Sequence, residues 1–463
     1  MILSKDMDLK GKNVAVVGLA KSGLAAALFL KKLGAKALVT DCANNQDVLK
    51  SAEVLSREKI KYEIGKHTEK FLTDTELMVI SPGAGGDAPP IVWAQRNKIP
   101  VISEIELGFL YCKAPVIAVT GTNGKTTVTG LIEDMFKTAH RKVIACGNIG
   151  NPFTEKLDDL TSDSAVVLEV SSFQLERIET FKPKVSIILN VTQDHLDRYR
   201  NMKEYLSAKC NIFRNQDGSD YLILNHDDHI LRNIKNAAGP KVLFFSRFAK
   251  VTGAFLEGDV IYCDIDGKSR QSLCAKKDIY LKGDHNIENA MAAVLAAKAF
   301  GVSDKDIMKS LSAFKGFAHR FELVSEIDGV RFIDDSKGTT VDSAKRALES
   351  CLSQVILIAG GRDKNSDFTL IKDTVKEKVK LVIVIGEAKD KLRAAYGDVT
   401  KIYDAETIEA AVQTAHGLAA NNDIVLLSPM CASFDMFKDY KHRGDAFKKA
   451  VLDLKKNKTV NLK

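Results

Sequence analysis

The stretch Pro115-Val116-Ile117-Ala118-Val119 is continuously apolar and runs directly into TGTNGKTT, residues 120–127. A short unbroken apolar run suits a strand buried on both faces, as in a parallel sheet covered by helices. The residues after the loop read as a helix, so the unit is strand, loop, helix. Gly121 and Gly124 let the backbone curl around phosphate oxygens, with Thr122 and Asn123 between them. Lys125 can reach terminal phosphates, and the Thr126 hydroxyl, followed by Thr127, can ligate Mg²⁺. The usual phosphate loop has a glycine five places before its Gly-Lys pair, where this chain has Val119. A plain Asn-Gly turn is the bland alternative, and it leaves Gly-Lys-Thr-Thr unexplained.

The 463 residues suffice for two to four domains. With 45% hydrophobic and 27% charged residues, the composition is that of an ordinary globular protein. The net charge of +7 is spread along the chain, which suits anionic ligands without demanding nucleic acid. No apolar run approaches the roughly 20 residues needed to cross a bilayer. The opening MILSKDMDLKGKNV has no apolar signal core. The eight cysteines are never closer than eleven positions, which excludes CxxC motifs. A cytoplasmic protein is the expectation.

Strands and helices alternate through three segments. The first opens with the strand 13–17, the turn Gly18-Leu19-Ala20-Lys21-Ser22-Gly23, an Ala/Leu-rich helix, and a strand ending at Asp41. A glycine turn at a helix N-terminus favours anions. The dinucleotide fingerprint is incomplete, because Ala20 replaces its middle glycine. NAD, another nucleotide diphosphate and a purely structural turn all remain open. Met78-Val79-Ile80 leads to a second small-residue turn, Ser81-Pro82-Gly83. In the second segment, strands are expected at 115–120, 165–170, 185–190 and 221–224, short antiparallel strands within 251–281, and an Ala-rich helix at 286–300. In the third they fall at 330–334, 354–359, 380–385 and 423–427. The fold class is therefore α/β, with three domains near 1–108, 109–316 and 317–463.

Several side chains carry possible chemistry. Glu169 lies on an apolar strand, where a carboxylate is costly unless paired or metal-bound, so it is either a Mg²⁺ ligand or an exposed strand end. His195, flanked by Asp194 and Asp197, follows an apolar strand and could ligate metal or orient phosphate. Lys209 borders the apolar stripe Leu206, Cys210, Phe213, and from sequence reads as a solvated or snorkelling lysine. His226-Asp227-Asp228-His229 reads as a surface loop, and the aromatic and Met residues of 430–447 as helix packing.

Together these motifs resemble the ATP-dependent Mur ligases of peptidoglycan synthesis, which share a fold with folylpolyglutamate synthases. The resemblance rests on GTNGKTT (121–127), GNIG (147–150), LEVSSFQLE (168–176), NVTQDHLDRY (190–199), AKCNIF (208–213), GDHNIENAMAA (283–293), HRFE (319–322), DDSKGTT (334–340) and GGRDKNSDF (360–368). It implies a Rossmann-like N-terminal domain, a central phosphate-loop ATPase domain with a parallel sheet, and a Rossmann-like C-terminal domain. It also implies an amide ligase acting through an acyl phosphate. VVGLAKSG (16–23) and LSPMCASFDMFKDYKHRGDAF (427–447) point within the family to UDP-N-acetylmuramoyl-L-alanine and D-glutamate as substrates, with no nucleic-acid partner, no membrane insertion and a monomer.

By resemblance, ATP would be met by 121–127 with Asn286, Asn289, Arg320 and Asp335. The UDP-substrate would be met by Ser22, Asp41, Ser81, Pro82, Gly83, Asn148, Ser171, Gln174 and His195. D-glutamate would be met by Lys337, Thr339, Lys364, Ser433, Phe434 and Tyr440. Lys125, His195 and Lys209 are the implied catalytic residues. Two Mg²⁺ ions would be held by Thr126, Glu169, His195 and a CO₂-derived carbamate on Lys209. Carbamylation converts a cation into a carboxylate-like anion, which Mg²⁺ prefers.

Overall fold

The computed structural model describes residues 3–148, 150–192, 198–234, 239–363 and 366–461, with side chains to Lys456. Residues up to Tyr280 together with Glu288–Phe314 form one compact unit, and Leu281–Ile287 with the residues from Lys315 onward form a second. Among the described residues the first unit contains two sheets and the second unit one.

The first sheet has five parallel strands, in the order Lys61–Ile64, Lys36–Asp41, Asn13–Val17, Leu77–Ile80, Val101–Ser103. Chain order reverses between Asn13–Val17 and Leu77–Ile80, so the turns at Gly18 and Ser81 meet at the switch point where such sheets bind ligands. Gly18 has φ +92°, and a Cβ there would lie 2.9 Å from Ser81 Cβ.

The second sheet has nine strands. Seven run parallel, from Val143–Gly147 at one edge through Ala165–Glu169, Val116–Thr120, Val185–Ile188, Tyr221–Asn225 and Lys241–Ser246 to Gly253–Glu257. Val260–Asp264 and Gln271–Ala275 then add antiparallel strands, as expected for 251–281. The phosphate-loop strand is central and fully buried. In the second unit, an antiparallel edge strand, Glu322–Ile327, precedes five parallel strands ordered Val330–Asp334, Ile424–Leu427, Val355–Gly360, Val379–Ile385 and Lys401–Asp404.

Strands without a sequence expectation include Lys61–Ile64, Lys401–Asp404 and Val143–Gly147. Each lies at a sheet edge and is largely exposed or half-buried, so none carries a continuous apolar run. The 430–447 stretch differs from its expected helix packing. The helix Tyr440–Asn461 begins only at its middle, and Met430 sits in a turn with φ +61°. Met430 and Phe447 are buried, whereas Phe434 is 63% exposed. The 226–229 segment is a loop, but Asp227 and Asp228 are half-buried and bonded to neighbouring turns rather than loose at the surface.

Two buried carboxylates fasten the helix Glu104–Tyr111, which follows the last strand of the first sheet, to the layers around the second. Glu104 Oε1 accepts from the amide and hydroxyl of Thr154, both at 2.7 Å. Glu106 accepts from the amide and hydroxyl of Thr180 at 2.6 Å, and from Phe181 N at 3.0 Å. Burial pushes the Glu104 carboxyl up to about 7, against the pull of its Thr154 bonds. A carboxyl raised on folding costs stability once it ionises. Stability therefore falls as pH rises from the unfolded value of 4.5 to about 7 and levels off above that. Glu104→Gln keeps an acceptor for Thr154 and removes the titration. Urea unfolding at pH 5 and pH 8 should show a wild-type loss of up to about 3 kcal/mol that the variant lacks. Equal pH dependence in both proteins would refute this assignment.

Candidate active site

Strand Val116–Thr120 pairs with Ala165–Glu169 on one side and Val185–Ile188 on the other, which sets Val119 opposite Glu169 and Thr120 opposite Ile188. Its C-terminal end thus delivers the glycine loop beside a carboxylate and beside the turn at Leu189-Asn190. Gly124 caps the helix Lys125–Thr138 with φ +85°, and a side chain there would collide with Asn289 Oδ1. Asn190 clamps the loop: its Oδ1 accepts from Asn123 N at 2.8 Å, its Nδ2 donates to Asn123 O at 3.2 Å, and its carbonyl accepts from Thr122 N at 3.0 Å. The curl is therefore set before any ligand arrives, with the positive end of a helix behind it.

A polar cluster sits against this loop. Thr126 Oγ1 donates to Glu169 Oε2 at 2.8 Å, and Asn148 Nδ2 donates to Glu169 Oε1 at 2.8 Å. Thr126 and Glu169 are 4% and 3% exposed, so the alternative of an exposed strand end is excluded for Glu169. Lys125 Nζ donates to the carbonyls of Gly121 and Thr122, both at 2.8 Å. Lys209, expected from sequence to be solvated, is 2% exposed and donates to Gly121 O at 3.1 Å, its ammonium 4.4 Å from the Tyr205 ring centroid. Sequence periodicity misplaced it because its helix, Met202–Cys210, packs the Lys209 side under the phosphate loop as well as its apolar stripe under the sheet. A hydroxyl and a carboxylate bonded together beside a phosphate loop are hard oxygen donors of the kind Mg²⁺ selects, so these residues fit that ion. His195, with Asp194 and Asp197, lies outside the described residues.

At the first sheet, Asp41 Oδ2 accepts from Leu19 N at 2.6 Å and its Oδ1 from Ala43 N at 2.8 Å, so Asp41 ties two turns together. Ser81 Oγ donates to Gly18 O at 3.1 Å, bringing the Ser81-Pro82-Gly83 turn against the glycine turn that leads into the helix Lys21–Lys32, whose first turn holds Ser22. Ser171 and Gln174 form a capping box at the start of the helix Ser172–Leu175, so part of their polarity is spent locally. Arg198 had no assigned role. It donates to Pro82 O at 3.0 Å, Ala84 O at 3.3 Å and Glu176 Oε2 at 3.1 Å, and its Cζ lies 3.9 Å from the Phe173 ring centroid. The only signal for it was an arginine next to the last residue of the NVTQDHLDRY stretch.

In the second unit, Ser428 Oγ donates to Asp335 Oδ2 at 2.8 Å and Phe321 N to its Oδ1 at 3.3 Å. Burial, with Asp334 alongside, raises Asp335 to about 7, while the nearby Arg320 charge opposes the rise. Lys337 Nζ lies 4.1 Å from the Tyr440 ring centroid, so those two residues meet. Asn286 Nδ2 donates to Lys282 O at 2.8 Å. Thr339 N donates to Lys337 O at 2.8 Å, in the turn just before the helix Val341–Glu349. Ser433 is buried, and Lys364 lies outside the described residues. Two further residues organise this end. His319 Nδ1 contacts Asp334 Oδ2 at 2.7 Å. Arg443, 1% exposed, donates to Ser336 Oγ at 3.0 Å, Ser336 O at 2.9 Å and Cys431 O at 3.2 Å, and burial lowers it to about 10. It pins the DDSKGTT turn to the 431–432 turn. An arginine in the first turn of a helix gives no such signal in sequence.

A phosphate loop clamped from below, with a buried carboxylate and a buried lysine beside it, defines a nucleotide-dependent enzyme. Family models agree with that class along most of the chain. The Mur ligase MurD-like N-terminal domain matches residues 12–103, the Mur ligase middle domain 119–297, and the Mur ligase glutamate ligase domain 319–431. The chain belongs to the Mur ligase family.

Within that family it is 42% identical over 452 residues to the UDP-N-acetylmuramoylalanine–D-glutamate ligase of Pelotomaculum thermopropionicum, covering 97% of this chain and 99% of that one. It is 43% identical over 446 residues to the protein of the same name from Koribacter versatilis, covering 96% and 98%. Among solved structures, MurF from Acinetobacter baumannii matches with TM-score 0.60 and 18% identity over 95% of this chain and 93% of that one. MurC from Thermotoga maritima matches with TM-score 0.58 and 18% identity over 96% and 99%. These two likenesses establish the fold. The family and the three-domain α/β fold class expected from the motifs are those found.

Proposed function

We propose that the chain joins D-glutamate to UDP-N-acetylmuramoyl-L-alanine with the hydrolysis of ATP, through an acyl phosphate. The observation that carries this reading is the phosphate loop with Thr126, Glu169 and Asn148 bonded together beside it and Lys125 and Lys209 both reaching its carbonyls. The names of its relatives supply the two substrates. In this reading residues 1–108 bind the UDP-substrate, 109–316 bind ATP, and 317–463 bind D-glutamate.

The substrate carboxylate attacks the γ-phosphorus of ATP and ADP leaves. The D-glutamate amine then attacks the acyl carbon, loses a proton and expels phosphate. Positioning and charge neutralisation dominate the first step. Lys125 turns from the carbonyls of Gly121 and Thr122 onto the phosphates, and the amides of 121–127 surround them. Thr126, Glu169 and Lys209 as a carbamate, together with His195, would hold Mg²⁺, which would offset phosphate charge when bound. Asn286, Asn289, Arg320 and Asp335 serve ATP. Ser22, Asp41, Ser81, Pro82, Gly83, Asn148, Ser171, Gln174 and His195 serve the UDP-substrate. Lys337, Thr339, Lys364, Ser433, Phe434 and Tyr440 serve D-glutamate, whose two carboxylates suit lysines. The protein acts as a monomer in the cytoplasm.

The deciding experiment measures phosphate release with ATP, Mg²⁺ and UDP-N-acetylmuramoyl-L-alanine, offering D-glutamate, L-glutamate, L-lysine or meso-diaminopimelate in turn. Release with D-glutamate alone is the expected result. Silence with D-glutamate, or preference for another amino acid, would overturn the proposal.

A further inference from the structure

Arg198 stands where two parts of the first compact unit meet. On one side is the Ser81-Pro82-Gly83-Ala84 turn, which leaves the C-terminal end of strand Leu77–Ile80 in the five-stranded sheet. On the other is the helix Ser172–Leu175, which follows strand Ala165–Glu169 of the nine-stranded sheet. The guanidinium joins them. Its Nη1 donates to Pro82 O at 3.0 Å, and its Nη2 to Ala84 O at 3.3 Å and to Glu176 Oε2 at 3.1 Å. Its Cζ lies 3.9 Å from the Phe173 ring centroid.

The anchor behind Arg198 is itself held. Glu176 Oε1 accepts from the Tyr199 hydroxyl at 2.6 Å, so one carboxylate fixes two successive residues. Phe173 stacks on Tyr199 with ring centroids 5.9 Å apart, and Tyr199 lies 5.3 Å from Tyr205. Tyr205 is 1% exposed, and its hydroxyl is 3.3 Å from Thr122 Oγ1 in the phosphate loop. A continuous set of contacts therefore runs from the 81–84 turn through Arg198 to the phosphate loop. Two carbonyls and a carboxylate call for several N–H donors on one rigid group, which a guanidinium supplies and an ammonium on a flexible stem does not. Arg198 and Glu176 are only 20% and 21% exposed, so water screens this pair less than a surface pair.

We propose that Arg198 is a positioning residue for the UDP-substrate. It fixes the Ser81–Ala84 turn relative to the phosphate loop, and so sets where a substrate held at that turn presents its carboxylate. This rests on the reading of residues 1–108 given above. The bonds of Arg198 go to protein carbonyls and a protein carboxylate, so it acts through the turn that it holds. A reacting group misplaced by about 1 Å loses on the order of a hundredfold in rate, which makes such a brace matter to the chemistry.

The test uses the full chain and the variants Arg198→Met, Arg198→Lys and Glu176→Gln. Methionine keeps an apolar stem against Phe173 and removes all three hydrogen bonds. Calorimetric titration with UDP-N-acetylmuramoyl-L-alanine in the absence of ATP reads binding, and phosphate release reads KM and kcat. Arg198→Met should weaken that binding and raise the KM for this substrate, each about tenfold, and should lower kcat about tenfold. The KM values for ATP and D-glutamate should stay within about twofold of wild type. Arg198→Lys keeps the charge without the fork and should bring the substrate KM back to about threefold above wild type. Loss of stability alone lowers the amount of active protein and with it the apparent kcat, but leaves KM unmoved. An unchanged KM for the UDP-substrate in folded Arg198→Met overturns the proposal, and so does an equal rise for all three substrates. If Arg198→Met does not fold, Arg198→Lys and Glu176→Gln are read in the same way, with a rise of about threefold expected and wild-type values in both overturning it. Wild-type protein that does not bind UDP-N-acetylmuramoyl-L-alanine refutes the substrate reading and takes this proposal with it. Wild-type protein that binds it no more tightly than Arg198→Met refutes the role of Arg198 alone.

Discussion

Lys125→Ala should lower ATP-dependent phosphate release by about a thousandfold or more, the scale on which one preorganised charge at a phosphoryl transition state acts. Lys125 is the cation at the mouth of the loop, and its ammonium already rests on the carbonyls of Gly121 and Thr122. Its move onto a phosphate exchanges two neutral acceptors for an anion, which favours the nucleotide-bound state. Lys209 touches Gly121 O from within the core and cannot take over a position in the solvent-facing mouth while it holds that contact. The variant should still fold, because Lys125 is a half-buried residue at the start of its helix. Near-normal phosphate release from a folded Lys125→Ala protein would remove the phosphate-binding role.

Lys209→Ala should be nearly as inactive, and its rescue separates two explanations. Lys209 is fully buried and bonded to the loop, so its loss is damaging whether it serves as an ammonium or as a carbamate. A carbamate presents carboxylate oxygens to Mg²⁺, so short carboxylic acids such as acetate should fill the cavity left by alanine and restore part of the rate. An ammonium would be replaced by methylamine instead. Rescue by amines and not by carboxylic acids would exclude the carbamate and leave Lys209 as a structural cation under Gly121.

How much of this was legible in the chain differs from element to element. The buried parallel strands carry their own signature, since a strand covered on both faces must be apolar throughout. Val116–Thr120, Ala165–Glu169 and Val355–Gly360 were therefore placed within a residue or two. Edge strands such as Lys61–Ile64 and Lys401–Asp404 carry half an apolar face or less, and their hydrogen bonds go to neighbours distant in sequence. The burial of Lys209, the clamps by Glu104 and Glu106, and the reach of Arg198 and Arg443 are likewise set by partners that lie tens of residues away or more.

By itself the sequence determined the α/β class, the phosphate loop and the family, because each is written in local spacing: apolar runs, glycines where φ turns positive, and a lysine at a fixed offset from them. Only the tertiary structure decided which charges are buried and what they hold. Burial is a property of the packed sheets rather than of any window of residues, and the cost of desolvating a charge is what forces Glu169, Lys209 and Arg443 onto their partners.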